Sequence, residues 1–207
     1  LITPDEELSR VIPAIKAIHT HFPDTWLSID TYNTTVAKEA IAAGAHIVND
    51  VSSGRFSPDM IATVAQLKVP YIAMHMQGTP ADMQANPTYD NVVQEVMTYL
   101  QCVCKQCADA GITDIIIDPG FGFGKTVAHN FELLRSMSDF ALLGRPVLAG
   151  LSRKSMICKP LKVNPTHALN GTTALNMIAL QQGANILRVH DVKEAMETII
   201  LWQCLNG

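Results

Sequence analysis

Charge is scarce in this chain: Asp, Glu, Lys and Arg together make up 16% of its 207 residues. There is no basic excess, because 15 Lys and Arg against 19 Asp and Glu leave a net charge of −4. A nucleic-acid backbone therefore finds no field to hold it. No apolar run approaches the roughly 18–20 residues that a membrane helix needs. The five Cys, an odd number, do not read as a secreted disulfide framework and fit a reducing, cytoplasmic setting. Leu1–Arg10 lacks the charged-then-apolar pattern of a secretory signal. No initiator Met opens the chain, so an N-terminal part is expected upstream of Leu1. What is present is globular in kind: 48% hydrophobic residues with 12 Gly and 11 Pro exclude disorder, a collagen-like repeat and a long coiled coil.

One pattern recurs: an amphipathic helix, a Gly, a short β-branched run, then a polar residue. Ala40–Gly44 leads into Ala45–Asp50, Asp109–Gly111 into Ile112–Asp118, and Gln181–Gly183 into Ala184–His190. Each Gly stands where a helix needs a left-handed residue to end. The runs that follow are apolar without clean alternation, as in strands buried on both faces of a parallel sheet. Trp26–Asp30, Pro70–His75 and Pro146–Leu151 complete six predicted strands. Helices are predicted at Pro4–Thr20, Thr34–Ala43, Pro58–Leu67, Tyr89–Ala110, Ala128–Phe140, Pro165–Gln182 and Val192–Leu205, the first with a capping Thr3 and Pro4 in its opening turn.

Six β-α units behind a lone helix fit two architectures. One is an open doubly wound sheet. The other is an eight-stranded TIM (β/α)8 barrel, typically ~250 residues long, entered about 40 residues in, so that strands 3–8 are represented here. Every predicted strand ends in polar residues: Asp30, Asn49-Asp50, His75, Asp118, Ser152-Arg153-Lys154, and Arg188 with His190. A barrel gathers all such ends around one mouth, whereas an open sheet concentrates ligands at one switch point. The barrel is favoured, with residues 1–207 as a single N-terminally incomplete domain.

Asp118-Pro119-Gly120-Phe121-Gly122-Phe123-Gly124-Lys125-Thr126 is the most distinctive stretch. A phosphate loop needs four residues between its first Gly and the Gly-Lys pair, and only three separate Gly120 from Gly124. The glycines instead allow a close backbone approach to a flat ligand or a sharp turn. The bland alternative makes Asp118 a helix cap. Ser152-Arg153-Lys154-Ser155 puts two cations beside two hydroxyls at a strand end, against the alternative of a solvated basic turn. Arg188 and His190, two apart at the end of the last strand, share a side and can converge on one anion. The alternative pairs Arg188 with Asp191 or Glu194. Asp30 and Asn49 end neighbouring strands, or else cap helices. His75 reads as a satisfied core histidine. Cys102 and Cys104 lie about 200° apart around their helix and have no partners to complete a tetrahedral metal set.

With Ile29-Asp30-Thr31, Asn49-Asp50, Met74-His75-Met76-Gln77-Gly78, Asp118 to Lys125, Ser152 to Ser155 and Arg188-Val189-His190-Asp191 in this order, the chain closely resembles the dihydropteroate synthase family. The resemblance runs from the first helix to the C-terminus. It implies an eight-stranded α/β barrel that joins 6-hydroxymethyl-7,8-dihydropterin diphosphate to 4-aminobenzoate, releasing diphosphate, in folate synthesis. By resemblance the pterin contacts are Asp30, Asn49, Met74, Asp118, Gly150 and Lys154. The aminobenzoate contacts are Phe123, Lys154 and Ser155, and Arg188 and His190 take the diphosphate, with Ser152 or Arg153 assisting. Lys154, Asp118 and Asp30 are the expected catalytic groups. Diphosphate leaves first, and the amine attacks the resulting pterin-methyl cation. The resemblance also implies Mg²⁺, a homodimer formed through the last helices, and a mobile Thr-Arg loop. The Mg²⁺ ligand and that loop are expected upstream of Leu1, so no metal ligand is assigned in this chain.

Two other functions remain open from sequence. A corrinoid-linked methyltransferase domain uses a similar pterin-binding barrel, though it has no need of the Lys154 motif. A pterin-binding barrel that has lost its catalytic loops is the non-enzyme alternative.

Overall fold

The computed structural model describes residues 2–207, which divide into two compact units. The first comprises the described residues up to Met74 together with Gln101–Ile116, and the second comprises His75–Leu100 and Ile117–Gly207.

In the first unit, helix α1 (Pro4–His21) is followed by β1 (Ser28–Asp30), α2 (Thr34–Ala42), β2 (Ile47–Asp50), α3 (Met60–Leu67) and β3 (Tyr71–Met74). It also holds the C-terminal half of α4 (Val92–Asp109) and the start of β4 (Ile115–Asp118). The strands are parallel, with Asp30 opposite Asn49 and Val48 opposite Tyr71. Tyr71 N–H donates to the Asp114 carbonyl just ahead of β4 at 2.9 Å. All four residues of β3 are buried, as expected of a parallel strand covered on both faces. Ile29, Val36, Ala40, Val48, Met60, Val64 and Ile72 form the core around it.

The second unit carries the end of β4, then α5 (Val127–Arg135), a 3₁₀ stretch (Met137–Leu143), β5 (Leu148–Ala149), α6 (Ser155–Leu161), α7 (Leu169–Gln181), β6 (Ile186–Leu187) and α8 (Val192–Asn206). β5 and β6 are parallel, and Ile117 bridges to Val147. Among the described residues the ladders run β1-β2-β3-β4 and β5-β6.

The three predicted helix ends all close as Schellman motifs. Gly44, Gly111 and Gly183 take φ of +117°, +92° and +90°. The following residues Ala45, Ile112 and Ala184 reach back to Ala40, Cys107 and Ala179 at 2.9 Å each. The strands are shorter than predicted, β5 and β6 spanning two residues each, and several helices differ from expectation. The helix predicted over Ala128–Phe140 breaks at Ser136, because Met137 and Phe140, both buried, are three apart, the spacing of the tighter 3₁₀ stretch. The helix predicted from Pro165 begins as a separate 3₁₀ turn, Pro165–His167, capped by Asn164. α4 starts at Val92 rather than Tyr89, capped by Asn91, which accepts the Gln94 N–H at 2.9 Å. α6, with Pro160 inside it and only Met156 and Ile157 buried, was not expected at all.

Candidate functional site

In the first unit, Asp30 ends β1 and its register partner Asn49 lies in β2, so these two side-chain positions are neighbours. Neither caps a helix: α2 is capped by Asn33, whose Oδ1 accepts from Thr35 N–H at 3.0 Å, and Asp59 stands at the start of α3. Asp30 is exposed and Asn49 buried. Asp50, next to Asn49, is held by its own loop. Asp50 accepts from the Ser52 N–H (2.8 Å) and hydroxyl (2.7 Å), the Gly54 N–H (2.7 Å) and the Tyr71 hydroxyl (2.9 Å). With four bonds Asp50 is a staple for its loop. Met74, at the end of β3, is fully buried.

In the second unit Asp118 is fully buried at the tip of β4. One carboxylate oxygen accepts the Gly120 N–H at 2.8 Å and the other accepts from Arg188 Nη2 at 2.6 Å. The capping role falls away, since α5 is capped by Thr126 in a capping box with His129. Gly150 allows this pairing: a Cβ there would meet Arg188 Nη2 at 2.7 Å. In this structure Gly150 therefore makes room for the guanidinium. The Arg188 side chain is 39% exposed and so half open to solvent, unlike its partner.

The Gly-rich turn is held from several sides. Gly120, Gly122 and Gly124 all have positive φ, which only glycine adopts without strain. Phe121 is buried in the core and Phe123 half-buried. Lys154, just before α6, donates to the Phe121 carbonyl at 2.5 Å, and its ammonium lies 4.7 Å from the centre of the Phe123 ring. That distance is within cation–π range. Burial pushes the Lys154 amine down to about 8, with Asp118 opposing the shift and Arg188 adding to it. Ser155 is exposed at the first position of α6.

Arg188 and His190 hold different partners in this structure. β6 ends at Leu187, so strand alternation does not extend over residues 188–190. Arg188 turns to Asp118, whereas His190 Nδ1 lies 2.9 Å from the Ser152 hydroxyl. Nor does Arg188 pair with Asp191. That carboxylate is bound by Arg153, through Nε at 2.8 Å and Nη2 at 2.7 Å, and the guanidinium holds it below the usual carboxylate range. Arg153 is thus committed to a structural fork.

Nothing in the sequence singles out Lys125 as a buried cation, yet it is 2% exposed. Its Nζ donates to the carbonyls of Gly120 (2.9 Å), Phe123 (3.1 Å) and His75 (3.4 Å), and it lies 2.9 Å from His75 Nδ1. Burial pulls the amine down to about 7, with Asp118 opposing and Lys154 assisting. His75 is the satisfied core histidine expected of it, packed edge-on against Tyr99. Asn130, also fully buried, accepts the Gly122 N–H at 2.7 Å. For Lys125 the only signal is its place beside three glycines, and Asn130, inside α5, carries none. Among the described residues none of Cys102, Cys104, Cys107, Cys158 and Cys204 is in a disulfide, and no group of three or more His, Cys, Asp or Glu could hold a metal ion.

The second unit thus brings a buried carboxylate, three cations and a half-buried aromatic ring to one glycine-rich turn. The model of the pterin binding enzyme family matches residues 1–190. The dihydropteroate synthase of Haemophilus influenzae is 44% identical over 204 residues, 98% of this chain and 74% of that protein. Among solved structures, the Yersinia pestis dihydropteroate synthase with a sulfonamide drug complex superposes at a TM-score of 0.96 with 40% identity, covering 99% of this chain and 75% of that one. The Thermus thermophilus enzyme in complex with 6HMPPP superposes at 0.93 with 38% identity, covering 98% and 80%. The chain belongs to the pterin-binding enzymes and, within them, to the dihydropteroate synthases. Its fold is accordingly the TIM barrel of those structures, and it is a transferase.

Proposed function

We propose that Asp118, Arg188, Lys154 and Phe123 are the working groups with which this chain makes dihydropteroate. The reaction joins 6-hydroxymethyl-7,8-dihydropterin diphosphate to 4-aminobenzoate in folate biosynthesis. The bond between the pterin methylene and the diphosphate oxygen breaks, and its electron pair leaves with diphosphate. The aryl amine then attacks the methylene carbon and loses a proton.

The observation that carries this assignment is the Asp118–Arg188 pair. A fully buried carboxylate and a half-open guanidinium satisfy each other at 2.6 Å. When the substrate enters, its aminopyrimidine edge supplies N–H donors to Asp118, and its diphosphate supplies oxygens to the fork of Arg188. The pair opens and each group gains the partner it suits, with His190, held by Ser152, on the anion side. Asp30, Asn49, Met74 and Gly150 are pterin contacts by family resemblance alone. Lys154 stands between the pterin and the aminobenzoate, whose ring meets Phe123 and whose far end meets Ser155. Opposite charges preorganised around a bond that separates charge typically lower the barrier by about 3–4 kcal/mol each.

Mg²⁺ is expected by resemblance, but the described residues offer it no cluster of ligands, and no step here runs through it. α8 supports a homodimer: Val192, Met196, Ile200, Leu201 and Leu205 are each at least 52% exposed, a stripe that a second copy would cover. Among the described residues no helix is long and apolar enough to cross a membrane. Five cysteines with no disulfide among the described residues suit a cytoplasmic location.

Arg188→Lys tests the assignment, because it keeps the charge and loses the fork. Binding of the pterin diphosphate should weaken, while binding of the pterin lacking diphosphate should hardly change. Equal losses for both ligands would make Arg188 structural.

A further inference from the structure

The segment after β3 folds upon itself. The Gln77 side chain donates to the Thr88 carbonyl at 2.7 Å and accepts the Thr88 N–H at 3.0 Å, while Asp82 accepts from Thr79 N–H at 2.6 Å and from its hydroxyl at 2.8 Å. From this folded loop two side chains reach the Gly-rich turn. Gln84 Nε2 donates to the Gly122 carbonyl, and the Tyr89 hydroxyl donates to the Gly124 carbonyl at 2.7 Å. Lys125 takes the Phe123 carbonyl between them at 3.1 Å. Three successive carbonyls, 122 to 124, thus accept from three different side chains.

Backbone of this kind has little stiffness of its own, since Gly122 and Gly124 flank Phe123 and glycine leaves φ and ψ broadly free. Fixing the direction of each carbonyl fixes the peptide planes on both sides of Phe123. The loop also approaches closely: a Cβ on Gly124 would stand 2.4 Å from the Gln77 carbonyl oxygen. Burial, and next to it the charge of Glu95, raises the Tyr89 phenol above its ordinary range, so it remains a donor at any working pH.

We infer that Gln84 and Tyr89, together with Lys125, are positioning residues for the second substrate: they hold the Phe123 backbone so that its ring keeps one height beside the Lys154 ammonium. The inference rests on the reading that Phe123 contacts the aminobenzoate. Gln84 and Tyr89 bond the carbonyls that flank Phe123, whereas Asp118 is bonded to the Gly120 N–H and Arg188, so these two side chains bear on the aminobenzoate end of the turn.

Tyr89→Phe removes one hydroxyl, and Gln84→Glu exchanges the donating amide for an acceptor on an exposed side chain. Steady-state kinetics of the purified synthase, with Phe123→Ala as reference, separate the two readings. Each clamp variant should raise KM for 4-aminobenzoate by about two- to tenfold, the range set by one neutral hydrogen bond. KM for the pterin diphosphate should stay at the parent value. Gln84→Lys, which restores a donor, should recover most of the loss. If Phe123→Ala raises the aminobenzoate KM while both clamp variants leave it unchanged, or move both substrates equally, the positioning role is overturned and the Phe123 reading stands. If Phe123→Ala itself leaves that KM unchanged, the Phe123 reading fails and takes this inference with it.

Discussion

Replacing Asp118 by Asn keeps size and removes one charge at a site with no solvent exposure. The amide oxygen can still accept the Gly120 N–H now bonded at 2.8 Å. The amide nitrogen must then face Arg188 Nη2, presently 2.6 Å from the other carboxylate oxygen, so donor meets donor. A hydrogen bond to a charged group is worth ~1.5–3 kcal/mol. Arg188, 39% exposed, can turn towards water, which limits the cost to the lower half of that range. For a chain of this size a loss of ~2 kcal/mol lowers Tm by about 4–8 °C. Pterin loses the same class of bond, so its affinity should fall at least about tenfold, the factor set by ~1.4 kcal/mol. Calorimetric titration with the pterin alone and a thermal melt read the two effects separately. Asp118→Asn combined with Arg188→Gln should regain stability without regaining affinity, because the clash is gone while the carboxylate is still missing. An affinity for pterin within twofold of the parent would refute the assignment and leave Asp118 a turn-forming residue.

Lys154→Ala should lose most activity yet melt within a few degrees of the parent, since Lys154 is half-buried and makes one bond, to the Phe121 carbonyl; a large drop in Tm would make it structural. Gly124→Ala should cost more than ~2 kcal/mol, because φ is +63° and the new Cβ would meet backbone at 2.4 Å; a denaturant midpoint equal to the parent's would contradict the close approach. Lys125 gives a pH dependence with a definite sign. Its amine is held at about 7 in the folded chain against about 10.4 when unfolded, so between these values the unfolded chain binds more protons and stability rises with pH. The stability difference between parent and Lys125→Met should therefore change in the parent's favour from pH 7 to 10; parallel curves would show that Lys125 titrates normally.

How far the sequence reached depends on how local the cause was. Gly44, Gly111 and Gly183 were legible as helix ends because the left-handed turn after a helix is a demand of three or four residues. The six strands were legible as apolar runs, since parallel strands are buried on both faces. Asp118 and Lys154 stood out by their strand-end places, and both meet the Gly-rich turn. Partner choice was not legible. Asp191 lay three residues from Arg188, yet Arg153, 38 residues away, took it. Arg188 reached Asp118, 70 residues away. Lys125 reads as any surface lysine, because the carbonyls that accept its protons face it only after the glycines have turned. α6 stayed hidden because Pro160 and short length masked a segment whose ordering comes from burying Met156 and Ile157.

The most direct test of the central claim is a crystal structure of the complex with the pterin diphosphate, read at one distance. The account predicts that Arg188 Nη2 leaves Asp118 Oδ2, now 2.6 Å away, and moves to the diphosphate, while the pterin's aminopyrimidine edge takes its place on the carboxylate. A pterin bound elsewhere in the chain, with the Asp118–Arg188 pair intact, would contradict it.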